Sequence, residues 1–321
     1  MRRFDLMGWK TWTLALAGFV AVCLLADLFF TRIIILRNPS SNTVRILHLY
    51  QENGDEIPIF GTSKARWNYI PSELGLNVFN YGIDGGSFEI ADMQLGIELA
   101  KPKTTPVIIE LQYTDTRGLG DVGQYLPLDY DPRIRQLLAR FHELTWRSYV
   151  PGIRYFGYYD WYLKDYLTAR FQSGTRVDHG YPYSVPPVPF DRARLQSFEQ
   201  IRLHSTNGYF PDEDQNRRLI AHITTHPQRL FFLVFSPYHS SCFVHFENVD
   251  KLKAYEERLS ALPNVVLLDW SRLDYPDEFF FDTLHLQHDG AVDFSRKLGD
   301  QIHQILRERN GHAAGAAAES K

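Results

Sequence analysis

The sequence predicts an α/β protein: a parallel sheet with helices on both faces, an aromatic-rich helical insertion, and one transmembrane helix at the N-terminus. Three observations predict it. The chain opens with a long apolar run. Short apolar strand candidates then alternate with amphipathic stretches of helical period. Small and polar residues follow several of those strands directly, where a parallel sheet carries its functional loops.

The apolar run covers residues 11–31, and 33–36 add four more apolar positions after Arg32. That is long enough to cross a hydrocarbon core as a helix. No small-x-small cleavage site follows it, so residues 1–36 read as an uncleaved anchor rather than a signal peptide. Arg2, Arg3 and Lys10 precede the run and Arg32, Arg37 and Arg45 follow it. The charge balance is therefore nearly even. A short basic N-terminus ahead of a large C-terminal domain stays inside, which places that domain on the extracytoplasmic face. Asp27 stands within the span, and an acid there either reaches water at the outer interface or contacts a membrane partner.

Residues 37–55 read as a polar linker with room for a short helix. The main domain, 56–309, begins with strand candidates at 57–60, 77–81 and 106–113. A helix is expected over 88–100, with Ile90, Met93 and Ile97 near one face. Two more strands are expected at 230–235 and 265–270, separated by a charged helix over 249–262. A last helix covers 289–307, with Phe294, Leu298 and Ile302 on one side. Continuous apolar strands of this kind suit a parallel sheet buried on both faces. Residues 117–215 break the alternation. Aromatics are 14% of the chain, and they crowd between Arg154 and Tyr162, so the segment reads as an insertion of helices and loops. It includes a proline-rich turn region at 181–189. Its aromatics pack on the sheet, stack on glycan, or meet the membrane interface. Residues 310–321, rich in Ala and Gly, read as a disordered tail.

Composition excludes some classes. The net charge of −4 offers no basic surplus for nucleic acid. Cys23 and Cys242 are the only cysteines. One lies in the apolar run, so no disulfide framework is expected. The histidines lack tight ligand spacing, and no metal or cofactor is expected.

Two stretches carry chemistry. In Gly61-Thr62-Ser63 a strand ends in Gly-small-Ser, which sets the serine at the mouth of the sheet at a helix start, where free backbone N–H groups favour an oxyanion. In Asp282-Thr283-Leu284-His285 an acid three residues before a histidine can hold one ring nitrogen and leave the other to act as a base. His288 and Asp289 offer competing assignments. Ser236-Pro237-Tyr238-His239 follows the fourth strand and faces the same mouth. Tyr238 and His239 are candidate substrate contacts there, or supports for His285.

Taken together, the order resembles the SGNH (GDSL-like) hydrolase superfamily. Gly61-Thr62-Ser63 is similar to its first block. Asn80-Tyr81-Gly82 is similar to its second, and Asp282-x-x-His285 with Gly290-Ala291 to its fifth. The match covers 57–117 and 229–307, and its nearest relatives in character are membrane-anchored proteins that modify envelope polymers, such as D-alanyl transfer and alginate acetylation proteins. The resemblance implies a three-layer αβα sandwich with a parallel, flavodoxin-like sheet. It implies catalytic Ser63, Asp282 and His285, with an oxyanion hole at the N–H groups of Ser63 and Gly82. It also implies O-acyl transfer to an envelope polysaccharide or polymer, with a multispanning membrane acyltransferase as partner. One departure stands out. The third block of the family supplies an Asn to the oxyanion hole, whereas this chain reads Glu110-Leu111-Gln112-Tyr113-Thr114-Asp115, with Gln112 as the candidate substitute and a further candidate substrate contact. An anchored carbohydrate esterase and a non-catalytic glycan-binding scaffold are the competing readings.

Overall fold

The computed structural model describes residues 6–38, 41–113, 122–171, 175–184, 187–205 and 207–319. In chain order the elements are α1 (Leu6–Phe29), running into a π-helix (Phe30–Ile35), α2 (Asn42–Gln51), β1 (Ile57–Phe60), α3 (Ser63–Asn68), β2 (Val78–Asn80), α4 (Phe88–Leu99) and β3 (Val107–Glu110). Next come α5 (Pro132–Arg140), α6 (Tyr159–Phe171), β4 (Thr175–Asp178), β5 (Tyr181–Ser184), α7 (Arg192–Leu203), β6 (Asn207–Gly208) and α8 (Glu213–Thr224). The chain ends with β7 (Phe231–Phe235), β8 (Phe246–Glu247), α9 (Val249–Ser260), β9 (Val265–Asp269) and α10 (His288–Glu319).

The chain divides into two compact units: Met1–Arg45 with Val122–Gln172, and Ile46–Asp121 with Ser173–Lys321. The second unit holds a five-stranded parallel sheet in the order β2-β1-β3-β7-β9. All residues of β1, β3 and β7 are buried, which explains why, apart from Glu110 at the end of β3, their sequences are apolar throughout: a strand covered on both faces has no polar side. Pro58 is tolerated inside β1 because pairing with β3 begins only at Ile59, opposite Ile108. The strand order reverses direction between β1 and β3, and the crevice beyond their carboxyl ends is where such sheets bind ligands.

The sheet's apolar side chains meet α10. Ala291, Phe294, Leu298 and Ile302 are fully buried at helical spacing, in one cluster with Ile59, Ile108, Phe232 and Val234. Phe294, Leu298 and Ile302 each contribute about 1.5–3 kcal/mol by leaving water. The helix continues past the expected stop: the segment read as a disordered tail has helical backbone to Glu319. Alanine, the strongest helix former, makes up much of that stretch.

The expected insertion does not stay together. Its 122–172 portion belongs to the first unit with α1, and its 173–215 portion belongs to the unit of the sheet; residues 117–121 lie outside the described ones. The proline-rich turn expected at 181–189 contains a strand instead. β4 and β5 pair antiparallel across His179-Gly180, whose φ angles of 42° and 87° are both positive, as a tight hairpin turn requires. The His179 carbonyl accepts the Asn80 N–H at 2.8 Å, which seats the hairpin on the end of β2.

Among the described residues of the first unit, one helix, Trp9–Ile35, is long and apolar enough to cross a membrane. Asp27 near its end has partners within the chain. Its carboxylate accepts the Gly152 N–H at 3.3 Å and lies 3.7 Å from the Arg154 guanidinium. The 37–55 linker contains α2, and Asn42 and Thr43 at its start bond to Gln124.

Truncating Leu298 to alanine leaves a cavity between α10 and the sheet. The expected cost is about 2–5 kcal/mol, read as a lower urea midpoint for the full chain in detergent, with the slope of the transition unchanged.

Candidate active site

Ser63 opens α3 directly after β1, and two glycines let that helix lie close. A Cβ at Gly61 would come within 2.7 Å of the Ala65 Cβ and 2.9 Å of the Glu110 Cβ. A Cβ at Gly82 would come within 2.4 Å of the Arg66 nitrogen. Asn80, fully buried at the end of β2, tightens the same corner by donating to the Ala65 carbonyl at 2.7 Å and the Tyr69 carbonyl at 2.9 Å.

On the other side of the chain a short loop closes over α3. An antiparallel bridge, Phe280 to Leu286, ties off its neck, and the Phe281 N–H donates to the His285 carbonyl at 2.9 Å. Inside this loop His285 Nδ1 lies 2.8 Å from Asp282 Oδ2, and His285 Nε2 lies 2.8 Å from Ser63 Oγ. The acceptor-only carboxylate assigns the proton to Nδ1, leaving Nε2 to accept from the Ser63 hydroxyl. Asp282 Oδ1 accepts the N–H groups of Leu284 and His285 at 2.7 and 2.8 Å. Burial pushes the Asp282 carboxyl up, but the His285 hydrogen bond and these two N–H groups outweigh it, and its pKa is held below the usual range. The ionised carboxylate therefore stabilises the fold above the ordinary aspartate range, and that contribution is lost as pH falls below it. The competing residues His288 and Asp289 start α10.

The other sequence-derived candidates sit differently. The Gly82 N–H, expected to face an oxyanion, donates to Asn80 Oδ1 at 2.9 Å. The reason is local: both amide hydrogens of Asn80 serve α3, and its oxygen turns to the next free donor. Gln112 Nε2 donates to the hydroxyl of Thr62, beside Ser63. Thr114 and Asp115 lie outside the described residues. Tyr238 and His239 are each 4% exposed and form part of the interior. The Tyr238 ring stacks on Tyr113 at 5.0 Å. His239 Nδ1 accepts the Ser241 N–H at 3.3 Å, and its backbone N–H donates to the Thr283 carbonyl at 3.1 Å, inside the Asp282–His285 loop. It serves that loop as a support.

Sequence reasoning missed what lies beneath Ser63. Glu110, the last residue of β3, is buried, and its carboxylate accepts the Tyr69 hydroxyl and, at 2.7 Å, the Ser236 hydroxyl. Lys64 Nζ lies 3.5 Å from Glu110, donates to the Ser236 carbonyl at 2.9 Å, and stands 3.1 Å over the Tyr238 ring. Asn68 continues the chain: its amide donates to Ser236 Oγ at 2.9 Å and its oxygen accepts the Leu286 N–H at 2.9 Å, next to His285. Burial pushes the Lys64 ammonium down to about 8 against the attraction of Glu110. Burial likewise pushes Glu110 up against Lys64 and its hydrogen bonds. The sequence signal was a Glu closing an apolar strand and a Lys beside the candidate nucleophile.

A cavity of about 430 Å³ adjoins His285, with Trp67, Tyr181, Pro182, Val188 and Phe281 among its walls. Trp67 stands one helical turn after Ser63, a spacing that puts both on one face. Arg194 and Arg202 of α7 brace the Asp282–His285 loop. Arg194 lies 3.7 Å over the Phe281 ring and donates to its carbonyl at 3.0 Å, and Arg202 donates to Thr283 Oγ1 at 3.2 Å. Among the described residues His48, Glu52 and Glu56 bring ligand-type atoms within 4.8 Å. That cluster is already occupied by its own partners, with His48 2.9 Å from Glu56, Tyr81 donating to Glu56 at 2.8 Å and Lys103 3.9 Å from Glu52.

No family model and no curated protein matches the chain. A solved structure that does match is described as "a putative platelet activating factor from Streptococcus pneumonia". It is 14% identical, the alignment covers 88% of this chain and 98% of that one, and the TM-score is 0.39. A likeness of that size carries no argument about this chain.

Lys64→Met leaves the Glu110 carboxylate buried without its cation, at an expected cost of about 3–5 kcal/mol in denaturant unfolding. Adding Glu110→Leu should recover much of that loss. Because folding lowers the Lys64 pKa, the parent should gain stability relative to Lys64→Met as pH rises above about 8 towards the ordinary lysine range.

Proposed function

We propose that the chain is a membrane-anchored, extracytoplasmic O-acyltransferase of the SGNH type, which modifies a cell-envelope polysaccharide or polymer through an acyl-serine at Ser63. The observation that carries the reading is the unbroken relay from Asp282 through His285 to Ser63, with both links at 2.8 Å. In this reading the five-stranded sheet is the middle layer of a three-layer αβα sandwich of the flavodoxin-like kind. Its strand order and the complete burial of β1, β3 and β7 support that. The short N-terminal segment ahead of a large C-terminal domain supports an N-terminus held inside.

The chemistry follows from the proton positions. Ser63 Oγ attacks the acyl carbonyl carbon while its proton passes to His285 Nε2. Asp282 stabilises the resulting imidazolium. The tetrahedral intermediate collapses, the bond to the leaving oxygen breaks, and that oxygen takes the proton from Nε2. An acceptor hydroxyl then enters, gives its proton to Nε2, and attacks the acyl-Ser63 carbonyl. Collapse returns the proton to Ser63 and releases the new ester. The Ser63 N–H is the proposed oxyanion donor. With the Gly82 N–H engaged by Asn80, a second donor is needed, from a small movement of that corner or from a partner. Loss of one such donor costs about 10²–10³ in turnover, which favours slow transfer assisted by a multispanning membrane acyltransferase over rapid free hydrolysis.

Incubating the full chain in detergent with a fluorophosphonate should give one adduct by intact mass, absent from Ser63→Ala. Asp282→Asn should slow the labelling by about 10⁴, since the wrong tautomer then faces Ser63. A folded protein that takes up no adduct either alone or in native membranes would remove the acyl-enzyme reading. Hydrolysis of small acyl esters by the purified chain at a rate that no partner improves would favour the anchored esterase.

A further inference from the structure

The first unit joins its 122–172 segment to α1 at one level of the span. Asp27, whose side chain is 11% exposed, holds Gly152 and Arg154. Gly152 sits against Cys23, where a Cβ would come within 3.2 Å of the cysteine Cβ. Farther along, the Tyr155 hydroxyl shares a 2.7 Å hydrogen bond with Thr31 Oγ1, and the Phe30 ring meets Tyr159 edge-on at 4.8 Å. The turn from Gly152 to Tyr159 therefore lies along the side of the apolar helix between Cys23 and Thr31.

The depth of that level follows from helix geometry. Asp27 lies eighteen residues after Trp9 in sequence, which is about 27 Å of helix at 1.5 Å per residue. A hydrocarbon core is about 30 Å thick. A bilayer crossed from Trp9 onward thus gives way to headgroups close to Asp27, beside this turn. The same region leaves large aromatics uncovered: Trp146 is 68% exposed, Tyr149 56% and Phe156 65%. The Arg147 guanidinium stands 5.0 Å from the Phe156 ring and 5.8 Å from the Trp146 ring. Rings with one wet edge, mixed with arginine, are what the headgroup layer favours.

We propose that Trp146 and Phe156, with Arg147 facing both rings, and Tyr149 insert into the phospholipid headgroup layer next to α1. The 122–172 segment is then seated in the membrane surface, and Asp27 is the fastening that keeps its aromatic foot at that depth. The inference rests on α1 crossing the bilayer and is independent of the acyl chemistry.

The test uses the full chain in vesicles of phosphatidylcholine and phosphatidylglycerol, with lipids brominated at shallow or deep acyl positions. The difference in emission between the parent and Trp146→Phe isolates Trp146. That component should lose emission with shallow bromines and keep more of it with deep ones. Moving the reporter, by Phe156→Trp in the Trp146→Phe background, should restore the shallow quenching. Trp12, inside the span, serves as the control for insertion. A Trp146 component that no brominated lipid quenches, while Trp12 is quenched, overturns the proposal; that is the result of coverage by a second copy or another protein, or of plain exposure to water.

Discussion

Glu110 ends the central strand β3 with its carboxylate sealed from water, and groups from three other places in the chain converge on it. Tyr69 comes from the end of α3, Lys64 from its start, and Ser236 from the residue after β7. A buried carboxylate costs several kcal/mol unless its lone pairs are filled, so the positions of these groups are tightly coupled. Because Lys64 and Tyr69 flank α3, satisfying Glu110 sets both the depth and the rotation of that helix, and with them the direction of Ser63. The network does not stop at the serine. Through Ser236 and Asn68 it reaches the Leu286 N–H, so the residue next to His285 hangs from the same carboxylate. Ser63 and His285 are held in register by an interaction that touches neither.

The topology explains why these residues can meet. Ser63 follows β1, Glu110 closes β3, and Ser236 follows β7, all at the carboxyl ends of neighbouring parallel strands. A parallel sheet gathers such ends on one edge whatever lies between them in sequence. The Asp282–His285 loop arrives from beyond β9 and needs separate support. α7 supplies it through Arg194 and Arg202, and His239 adds a backbone bond to Thr283. Part of the segment that breaks the strand–helix alternation therefore belongs to the construction of the site. Its β4–β5 hairpin also brings Tyr181 and Pro182 to the cavity beside His285.

In the first unit a different economy applies. An acid near the end of an apolar helix is costly in lipid, and here its cost is offset by Arg154 and the Gly152 N–H. The aromatic stretch 154–162 divides between two roles. Tyr155 and Tyr162 are buried around Phe30, whereas Phe156 faces outward.

Much was legible in the sequence because it depends on local pattern. The apolar helix, the five strands of the sheet and the apolar face of α10 follow from length and period. The triad candidates follow from short motifs: Asp282 and His285 are three residues apart, and Ser63 stands at a strand end. What the sequence alone could not determine are matters of partner choice. Gly82 and Asn80 are two residues apart, yet only the close approach of α3 turns the Asn80 amide inward and its oxygen onto the Gly82 N–H. Tyr238 and His239 follow a strand at the right mouth, and the packing of Tyr113 and of the Thr283 loop decides that they are interior. Nothing in the local sequence marks Lys64 and Glu110 as buried, because sequence carries no measure of burial for a charge whose partner is dozens of residues away. Periodicity determines which face of an element is apolar. Which polar group satisfies which, across the interior, is decided only when the elements are stacked, because every buried donor and acceptor must then find a partner among whatever the fold has brought within reach.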